Sequence, residues 1–326
     1  MDEILRLFPQ EMKEPIANFL QGRWPQLQEI RVRLYKPVEC IFDDKIEWIP
    51  YLKPTERDCQ FLLNQMSKFS LYRMEDELRE GFITIEGGHR VGLAGKVNTT
   101  SGLVHAIKHI TFFNIRIAKQ LIGAARHIIP YMTFGDSYLN TLIVGPPQTG
   151  KTTIIRDLVR MIATGWTNHD PKKVGIVDER SEIAGSIQGF PQHDIGLRTD
   201  VMDACPKAEG MMMLIRSMSP EIIVVDEIGH QKDVDALMEA VHAGVQVICT
   251  IHGKSLDELK KRPSLQPIFK HQVFNRIVFL NRSKKPGSIQ HIYDEHGRKI
   301  HLKSGGFQHE VDWRASFHQH HNMDRL

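Results

Sequence analysis

The segment Thr141–Asp157, TLIVGPPQTGKTTIIRD, constrains the fold more than any other part of this sequence. An apolar run that suits a strand leads into G-x-x-x-x-G-K-T, which extends from Gly145 to Thr152, and a segment that suits a helix follows. This motif binds phosphate only in such a strand–loop–helix context. Because a chance Gly/Pro turn would lack these flanks, the pattern predicts an α/β domain with a phosphate site at the start of the helix.

The rest of the C-terminal part alternates apolar runs with helix-like segments. KVGIVDE, EIIVVDE, VQVICTIH and NRIVFL suit buried strands, and IIRDLVRMIA places its apolar residues on one helix face. Continuous apolar strands alternating with helices are typical of a parallel sheet covered on both faces. We therefore expect residues 131–326 to form an α/β domain with a mostly parallel sheet. SIQHIYDEHGRKIHL predicts a final hairpin that turns at His296-Gly297.

The first part of the chain predicts a smaller α+β domain over residues 1–130. VECIFDDKIEWI and GFITIEGGHRVGLAGKV each indicate a hairpin, and Thr55 with Asp58 forms a capping-box pattern at the start of a helix. NIRIA, residues 114–118, indicates a short strand or an edge segment. Residues 120–129 suit a helix, and Pro, Gly, Asp and Ser within residues 130–138 indicate a linker between the domains.

Charge and composition limit the partners and the cellular location that we expect for the protein. The 326 residues are 41% hydrophobic and 25% charged, and 42 basic residues against 39 acidic ones give a net charge of +3. This balance makes a nucleic-acid partner unlikely, since such partners favour strongly basic domains. No apolar run approaches the roughly 20 residues of a membrane span, and the N-terminus is acidic where a signal peptide would be basic. We expect a cytoplasmic protein that reaches a membrane only by docking on another protein.

Cysteine and histidine usage suggests no metal centre. The cysteines are scattered without a C-x-x-C pair, which favours neither a disulfide framework nor a cysteine zinc site. Histidines crowd the C-terminal end, at His309, His318, His320 and His321. We interpret that end as an exposed polar terminus rather than a metal-binding tail.

The loop itself predicts how a nucleotide would be held. Its two glycines let the backbone fold around phosphate oxygens, so that successive N–H groups point inward at the start of the helix. The Lys151 ammonium would reach the β- and γ-phosphates of ATP, and the Thr152 hydroxyl would coordinate Mg²⁺. The predicted nucleotide-binding residues are Gly145, Pro146, Pro147, Gln148, Thr149, Gly150, Lys151, Thr152 and Thr153.

Paired acids end the predicted strand EIIVV and supply the second part of a nucleotide site. Asp226 would hold Mg²⁺, and Glu227 would orient or deprotonate the attacking water. A solvated strand end is the competing interpretation. Both motifs occur in the expected order along the chain, which favours the interpretation as a site.

Two further strand ends carry polar residues. GIVDERSEI places Asp178, Glu179 and Arg180 after one strand, and VICTIHG places Thr250 and His252 after another. Because ligands bind at the carboxyl ends of parallel strands, these groups are candidates for contacting the γ-phosphate or positioning water. A lone histidine is as often structural as functional, and this holds for His252.

With these strand ends in order, the C-terminal half resembles the secretion ATPases of type II and type IV systems, including the pilus motors. The P-loop, Asp box, Walker B segment and His box of that family correspond to GPPQTGKT, VDERSEI, VVDEIG and AGVQVICTIHG. Over nearly its full length, the chain resembles more closely a sporulation branch of the family found in endospore-forming bacteria. The matching pieces are IRVRLYKPVE, EGGHRVGLAGKV, FFNIRIA, GPPQTGKTT, VDERSEIAG and CPKAEGMMMLIRSMSPEIIVVDEIG.

The resemblance implies a RecA-like P-loop ATPase domain preceded by a small N-terminal domain, usually assembled as a hexameric ring. It also implies a location in the mother-cell cytoplasm and action on the channel complex that joins the mother cell to the forespore. The membrane proteins of that complex would be the partners. Because Walker B ends here in Asp-Glu where many members have Gly-Glu, both Glu179 and Glu227 are candidates for the catalytic base.

Hydrolysis usually needs a positive group beside the γ-phosphate. The resemblance implies that Arg90 in GGHRVG and Arg116 in NIRIA supply it from the N-terminal domain, with Arg180 and Arg198 as alternatives. A surface salt bridge explains any one of them equally well. The segment 190–210 is loop-like, and we interpret it as facing the nucleotide or a neighbouring subunit.

Two other functions compete with an ATP-hydrolysing motor. The first is a P-loop ATPase stimulated by nucleic acid, which the lack of a basic tract in the sequence disfavours. The second is a scaffold that binds ATP and scarcely hydrolyses it. The paired acids Asp226 and Glu227 argue against the scaffold.

Overall fold

In the computed structural model, which describes residues 1–67, 78, 81–100, 103–283 and 285–301, the chain divides into two units. The first is Met1–Lys119 and the second is Gln120–Leu326, so the division falls earlier in the chain than the boundary at residue 130 that the sequence predicts. Among the described residues, no helix combines the length and the apolar character that crossing a membrane requires.

The first unit is built on a six-stranded antiparallel sheet in the spatial order β3-β2-β1-β6-β5-β4. Its strands are β1 (Leu27–Arg33), β2 (Val38–Phe42), β3 (Ile46–Ile49), β4 (Phe82–Ile85), β5 (His89–Thr100) and β6 (Leu103–Arg116). Within the described residues, its α-helices with defined bounds are α1 (Asp2–Leu5), α2 (Gln10–Leu20) and α3 (Glu56–Met66). Both predicted hairpins are confirmed as β2–β3 and β4–β5. NIRIA is a strand over its first three residues, as predicted, but these end the long central strand β6, which is neither short nor at an edge, and residues 117–118 follow it.

Alternation along the strands separates two faces of this sheet. Ile30, Val91 and Ile115 are fully buried and pack in one core with residues of α1, α2 and α3. Arg90 and Arg116 neighbour them in sequence and therefore lie on the opposite face. The predicted capping box at the start of α3 is confirmed by reciprocal contacts between Thr55 and Asp58.

The second unit contains a seven-stranded sheet in the order β11-β10-β12-β13-β9-β14-β15, together with a two-stranded hairpin β7–β8. Every neighbouring pair in the large sheet is parallel except β14–β15. The strands are β7 (Thr133–Phe134), β8 (Ser137–Tyr138), β9 (Thr141–Val144), β10 (Val174–Asp178), β11 (Thr199–Asp203), β12 (Ile222–Val225), β13 (Gln246–Ile251), β14 (Arg276–Asn281) and β15 (Ser288–Asp294). The helices are α4 (Lys151–Thr164), α5 (Lys207–Met218), α6 (Gln231–His242), α7 (Leu256–Lys260) and α8 (Gln266–Lys270).

Both faces of this sheet are buried, which explains why its central strands have no polar alternation. In β9, Ile143 packs in the core that contains the apolar face of α4. Leu142 and Val144 pack in a second core that contains residues of α5 and α6. The predicted mostly parallel α/β sheet is therefore confirmed, and each strand residue packs against one helical layer.

Residues 120–138 differ from the predicted helix and linker. Residues 122–128 form turns, a short 3₁₀ helix spans Ile129–Tyr131, and residues 133–138 form the hairpin β7–β8. The physical reason is a buried carboxylate on α4: Asp157 accepts hydrogen bonds from the backbone N–H groups of Gly123 (3.1 Å) and Ala125 (2.8 Å). These donors are satisfied by a side chain instead of by helical carbonyls.

Two further predictions need correction. The segment 190–210 is not only a loop, because it contains β11 and the start of α5, and β11 is formed by pairing with β10. The chain does turn at Gly297, but β15 pairs along its length with β14. In the described part of the return, the pairing with β15 consists of the bridge between Tyr293 and Lys299 and the flanking backbone hydrogen bonds. The histidines of the C-terminal end lie outside the described residues.

We expect Asp157→Ala to lower the free energy of unfolding by about 3 kcal/mol. The change removes the acceptor of two buried N–H donors. It also removes the acceptor of the Arg160 guanidinium, which lies 2.7 Å from the carboxylate in the native chain. Urea denaturation measures the loss, and Asp170→Ala, at an exposed carboxylate of the same unit, is the control. Equal stability of the two variants would contradict a bracing role for Asp157.

Candidate functional site

The predicted phosphate loop lies at the carboxyl end of β9 and leads directly into α4. Gln148 and Gly150 have φ angles of 61° and 86°, in the left-handed region that suits a tight loop. At Gly145, a Cβ atom would lie 2.4 Å from the Thr149 hydroxyl oxygen, so any side chain there would displace the loop. The backbone therefore curls tightly before the first turn of α4, where N–H groups without helical partners can face an anion.

The loop is braced from outside by the connection between β14 and β15. The Gly287 N–H donates to the Thr149 carbonyl oxygen at 2.7 Å, and the Thr149 hydroxyl donates to the Pro146 carbonyl oxygen at 2.8 Å. A Cβ on Gly150 would lie 3.0 Å from the Gly287 nitrogen. All nine predicted nucleotide-binding residues lie on this loop or on the first turn of α4.

Lys151 and His252 are brought together with Glu227. The Lys151 ammonium donates to the carbonyl oxygens of Gly145 (3.0 Å) and Pro146 (3.2 Å) and contacts His252 Nδ1 at 3.2 Å. An ammonium only donates, so Nδ1 is the acceptor and the ring proton lies on Nε2. His252 Nε2 then donates to Glu227 Oε1 at 2.7 Å. The three residues form one hydrogen-bonded chain across the site.

Burial and neighbouring carboxylates act in opposite directions on the Lys151 ammonium. Burial lowers the pKa of Lys151, and the negative charges of Glu227, Asp226 and Glu182 raise it. A cation buried among carboxylates is typical of a site that handles charged ligands. The predicted functional residues Lys151, Asp226 and Glu227 thus share one electrostatic environment.

Thr250 holds the two acids that follow β12. Its hydroxyl donates to Asp226 Oδ1, and the same oxygen accepts the Glu227 backbone N–H at 2.9 Å. Thr250 is fully buried at the end of β13, so it fixes the position of both acids. Glu227 has a φ of 51°, a strained conformation for a non-glycine residue, and these bonds help to maintain it.

The predicted magnesium ligands lie next to each other. The Thr152 hydroxyl is 3.3 Å from Asp226 Oδ2. Burial raises the pKa of Asp226, so a nearby cation would favour its charged form. A hydroxyl and a carboxylate are oxygen donors of the kind Mg²⁺ prefers, and these two residues therefore fit the ion.

The Asp box has a structural member and an exposed one. Asp178 accepts hydrogen bonds from three successive backbone N–H groups, those of residues 182–184, at 2.8–3.0 Å. Burial raises the pKa of Asp178 to about 6, and these donors partly offset the effect. Glu179 forms an ion pair with Lys207. The structure brings Glu227 to Lys151 through His252, and it places Glu179 beside Lys207.

Arg156 is a supporting residue that the sequence prediction missed. It lies buried on α4, where its Nε donates to the Ile183 carbonyl oxygen and its NH2 group donates to the Glu182 carbonyl oxygen, both at 2.6 Å. These bonds hold the Asp-box loop against the helix of the P-loop. An arginine within an otherwise apolar helix face was the signal in the sequence.

The four candidate arginines occupy different places. In the first unit, Arg90 and Arg116 are directly opposite each other on β5 and β6. Arg180 lies 3.5 Å from Glu227 in the second unit. Arg198 precedes β11 at the amino end of the sheet and donates to the Pro171 carbonyl oxygen. The P-loop lies at the carboxyl end of the sheet, so within one chain Arg198 and the P-loop are at opposite ends of the strands.

The fold resembles that of solved secretion ATPases. The pilus retraction motor PilT with bound ADP gives a TM-score of 0.56 at 15% identity, covering 81% of this chain and 77% of that chain. The ATPase DotB of Legionella pneumophila gives a TM-score of 0.52 at 16% identity, covering 83% and 76%. The chain therefore has the RecA-like fold of these solved ATPases, with an antiparallel β domain before the mostly parallel sheet.

The chain belongs to the family described as Sporulation stage III, protein AA, whose model matches residues 1–300. A curated relative, Stage III sporulation protein AA of Bacillus subtilis (strain 168), is 49% identical over 305 residues, which cover 94% of this chain and 99% of the relative. The family resemblance that the motifs indicate is thereby confirmed.

Thr250→Val should lower the free energy of unfolding by about 1–3 kcal/mol. Valine fills the same space but offers Asp226 no donor and the Glu227 N–H no acceptor. Thr250→Ser keeps the hydroxyl and is the matched control. Thermal or urea unfolding of the two variants measures the difference. A valine variant as stable as the serine variant would show that the hydroxyl does not hold these acids.

Proposed function

We propose that this protein is a Mg²⁺-dependent ATPase of the secretion-motor type. The observation that carries the proposal is the meeting of three strand ends at one point. Lys151 of the P-loop contacts His252, His252 contacts Glu227, and Thr152 contacts Asp226. A phosphate cradle, a pair of magnesium ligands and a carboxylate base are the parts that P-loop hydrolysis uses.

Each residue has a defined task in this mechanism. The N–H groups at the start of α4 and the Lys151 ammonium bind the phosphate oxygens and neutralise their charge. Thr152 and Asp226 hold Mg²⁺, which supplies further neutralisation of the phosphates when bound. Glu227 accepts a proton from the water that attacks the γ-phosphorus. His252 positions Glu227 by donating from Nε2 to its carboxylate.

Glu227 is favoured over Glu179 as the base because of its position beside the P-loop lysine. Glu227 is the carboxylate that most strongly raises the pKa of Lys151, which indicates that it lies close to the ammonium. Glu179 instead forms an ion pair with Lys207. We therefore assign Glu227 as the base and Glu179 to the support of the Asp-box loop.

Arg90 and Arg116 supply the positive charge beside the γ-phosphate in this proposal. They lie directly opposite each other in adjacent strands, and two like charges in such a pair repel. Glu29 lies 3.9 Å from Arg116, and the Arg90 guanidinium lies over the Phe82 ring, 3.5 Å from its centroid. Binding of a phosphate by this pair would relieve the repulsion. Closure of the N-terminal unit onto the nucleotide would then couple hydrolysis to movement.

The family and the solved motors of similar fold support the biological role that we propose. A sporulation-stage protein with this fold would work in the mother-cell cytoplasm, at the membrane, through the membrane proteins of the channel to the forespore. PilT is described as a pilus retraction motor, which favours a mechanical role for the present chain. A homohexameric ring is the assembly we propose.

Glu227→Gln should retain ATP binding and lose hydrolysis by at least ~10²-fold, the usual contribution of a general base. Glu179→Gln, a carboxylate at a neighbouring strand end, is the matched control and should lose less. Phosphate release and ATP affinity are measured for both, with Lys151→Ala as the variant that loses binding or turnover. A larger loss in Glu179→Gln would transfer the base to Glu179, and wild-type turnover by Lys151→Ala would refute the P-loop assignment.

Arg116→Ala and Arg90→Ala should each lower kcat by about 10³-fold, the scale of an arginine that stabilises charge on the γ-phosphate. Affinity for ATP should change little, because the P-loop is intact. Arg198→Ala, at the opposite edge of the parallel sheet, is the control and should hydrolyse ATP at the wild-type rate. Wild-type kcat in both Arg90→Ala and Arg116→Ala would exclude delivery of charge from this sheet.

A further inference from the structure

A cavity of about 350 Å³ lies beside the P-loop, on the side away from the acids of β12. It is formed at the carboxyl ends of β9, β13 and β14 and at the start of β15. Residues from each contribute to its lining, among them Pro147, Lys254, Phe279, Asn281, Arg282 and Gln290. Its volume is within the range of about 300–1,000 Å³ for small-molecule sites.

The cavity adjoins the loop that would hold phosphate. Pro146, Pro147 and Thr149 belong to the P-loop and also line the cavity. Arg282 on the rim donates to the Gln148 side-chain oxygen at 3.0 Å, so the rim and the loop are directly linked. A ligand with its phosphates in the loop therefore has its other end next to this cavity.

The lining combines apolar walls with amide groups. Pro147 and the buried Phe279 provide apolar surface, and Asn281 and Gln290 provide the amides. Asn281 Oδ1 accepts from the backbone N–H (3.2 Å) and the hydroxyl (2.9 Å) of Ser283, which turns its NH₂ group into the available donor. The Gln290 side-chain amide makes no hydrogen bond within the described ranges of the chain, so both its donor and its acceptor are available.

We propose that this cavity is the subsite for the adenine base of the nucleotide, with Asn281 and Gln290 contacting the edge of the base. An amide pairs with the adjacent amino group and ring nitrogen of adenine. Pro147 packs on the ring, and the planar Arg282 guanidinium flanks it at the rim. The subsite rests on the proposed nucleotide-binding function, and it adds the residues that recognise the base.

The test separates the contribution of the base to binding from that of the phosphates by comparing the affinities for ADP and for inorganic pyrophosphate. Calorimetric titration of the full chain, with Mg²⁺, gives the affinity for each ligand. Asn281→Ala and Gln290→Ala should each weaken ADP binding by about three- to tenfold, and the double variant by at least about tenfold. Pyrophosphate affinity should stay at the wild-type value, because the P-loop is unchanged. GDP and ADP should also bind the double variant with more similar affinities than they bind the wild type.

Two controls keep the outcome decisive. Gln246→Ala removes the same side chain at the amino end of β13, at the opposite edge of the sheet, and should bind ADP like the wild type. Lys151→Ala should lose both ADP and pyrophosphate. Wild-type ADP affinity in the double variant would overturn the base subsite while leaving the phosphate site intact. Failure of the wild-type protein to bind pyrophosphate and ADP would overturn the nucleotide function, and the subsite with it.

Discussion

The position of β13 between β9 and β12 is the constraint on which the whole site depends. From the end of β13, Thr250 reaches the acids that follow β12, and His252 reaches Lys151 at the start of α4. Neighbouring strands lie about 4.8 Å apart, so one strand inserted on either side would take these groups beyond hydrogen-bond distance. The contacts that suggest hydrolysis therefore depend on strand order. The buried threonine hydroxyl then holds the two acids in place by hydrogen bonds.

Buried charge distinguishes this edge of the sheet from the rest of the core. Burial lowers the pKa of Lys151, raises that of Asp226 and lowers that of Arg156 to about 10. Burying charges costs folding free energy, which hydrogen bonds and opposite charges only partly return. Arg156 and Asp178 are satisfied mainly by backbone groups of one loop, so that they stiffen it. Such a concentration of perturbed groups is typical of a functional site and has no advantage for stability alone.

The two units use opposite solutions for their sheets. In the second unit, apolar strands are covered on both faces, and the candidate functional groups lie at the strand ends. In the first, alternation buries one face and leaves charged residues on the other, including the opposed pair Arg90 and Arg116. The arrangement in the second unit fixes a few groups rigidly at one edge of its sheet. The other face of the first unit's sheet carries charged residues on adjacent strands.

The sequence by itself determined the α/β class, the P-loop and the hairpins of the first unit, because these depend on local periodicity and on glycine at defined positions. It also identified Lys151, Asp226, Glu227 and His252 as candidates from their places at strand ends. Tertiary structure alone decided which of these groups meet, because strand order is a long-range property. It also decided the conformation of residues 120–138. There a carboxylate on α4 accepts hydrogen bonds from backbone N–H groups that would otherwise pair with carbonyl groups of a helix. Pairing with β10 likewise made β11 a strand within a segment whose own residues suggest a loop, since hydrogen bonds to a distant strand outweigh weak local preference.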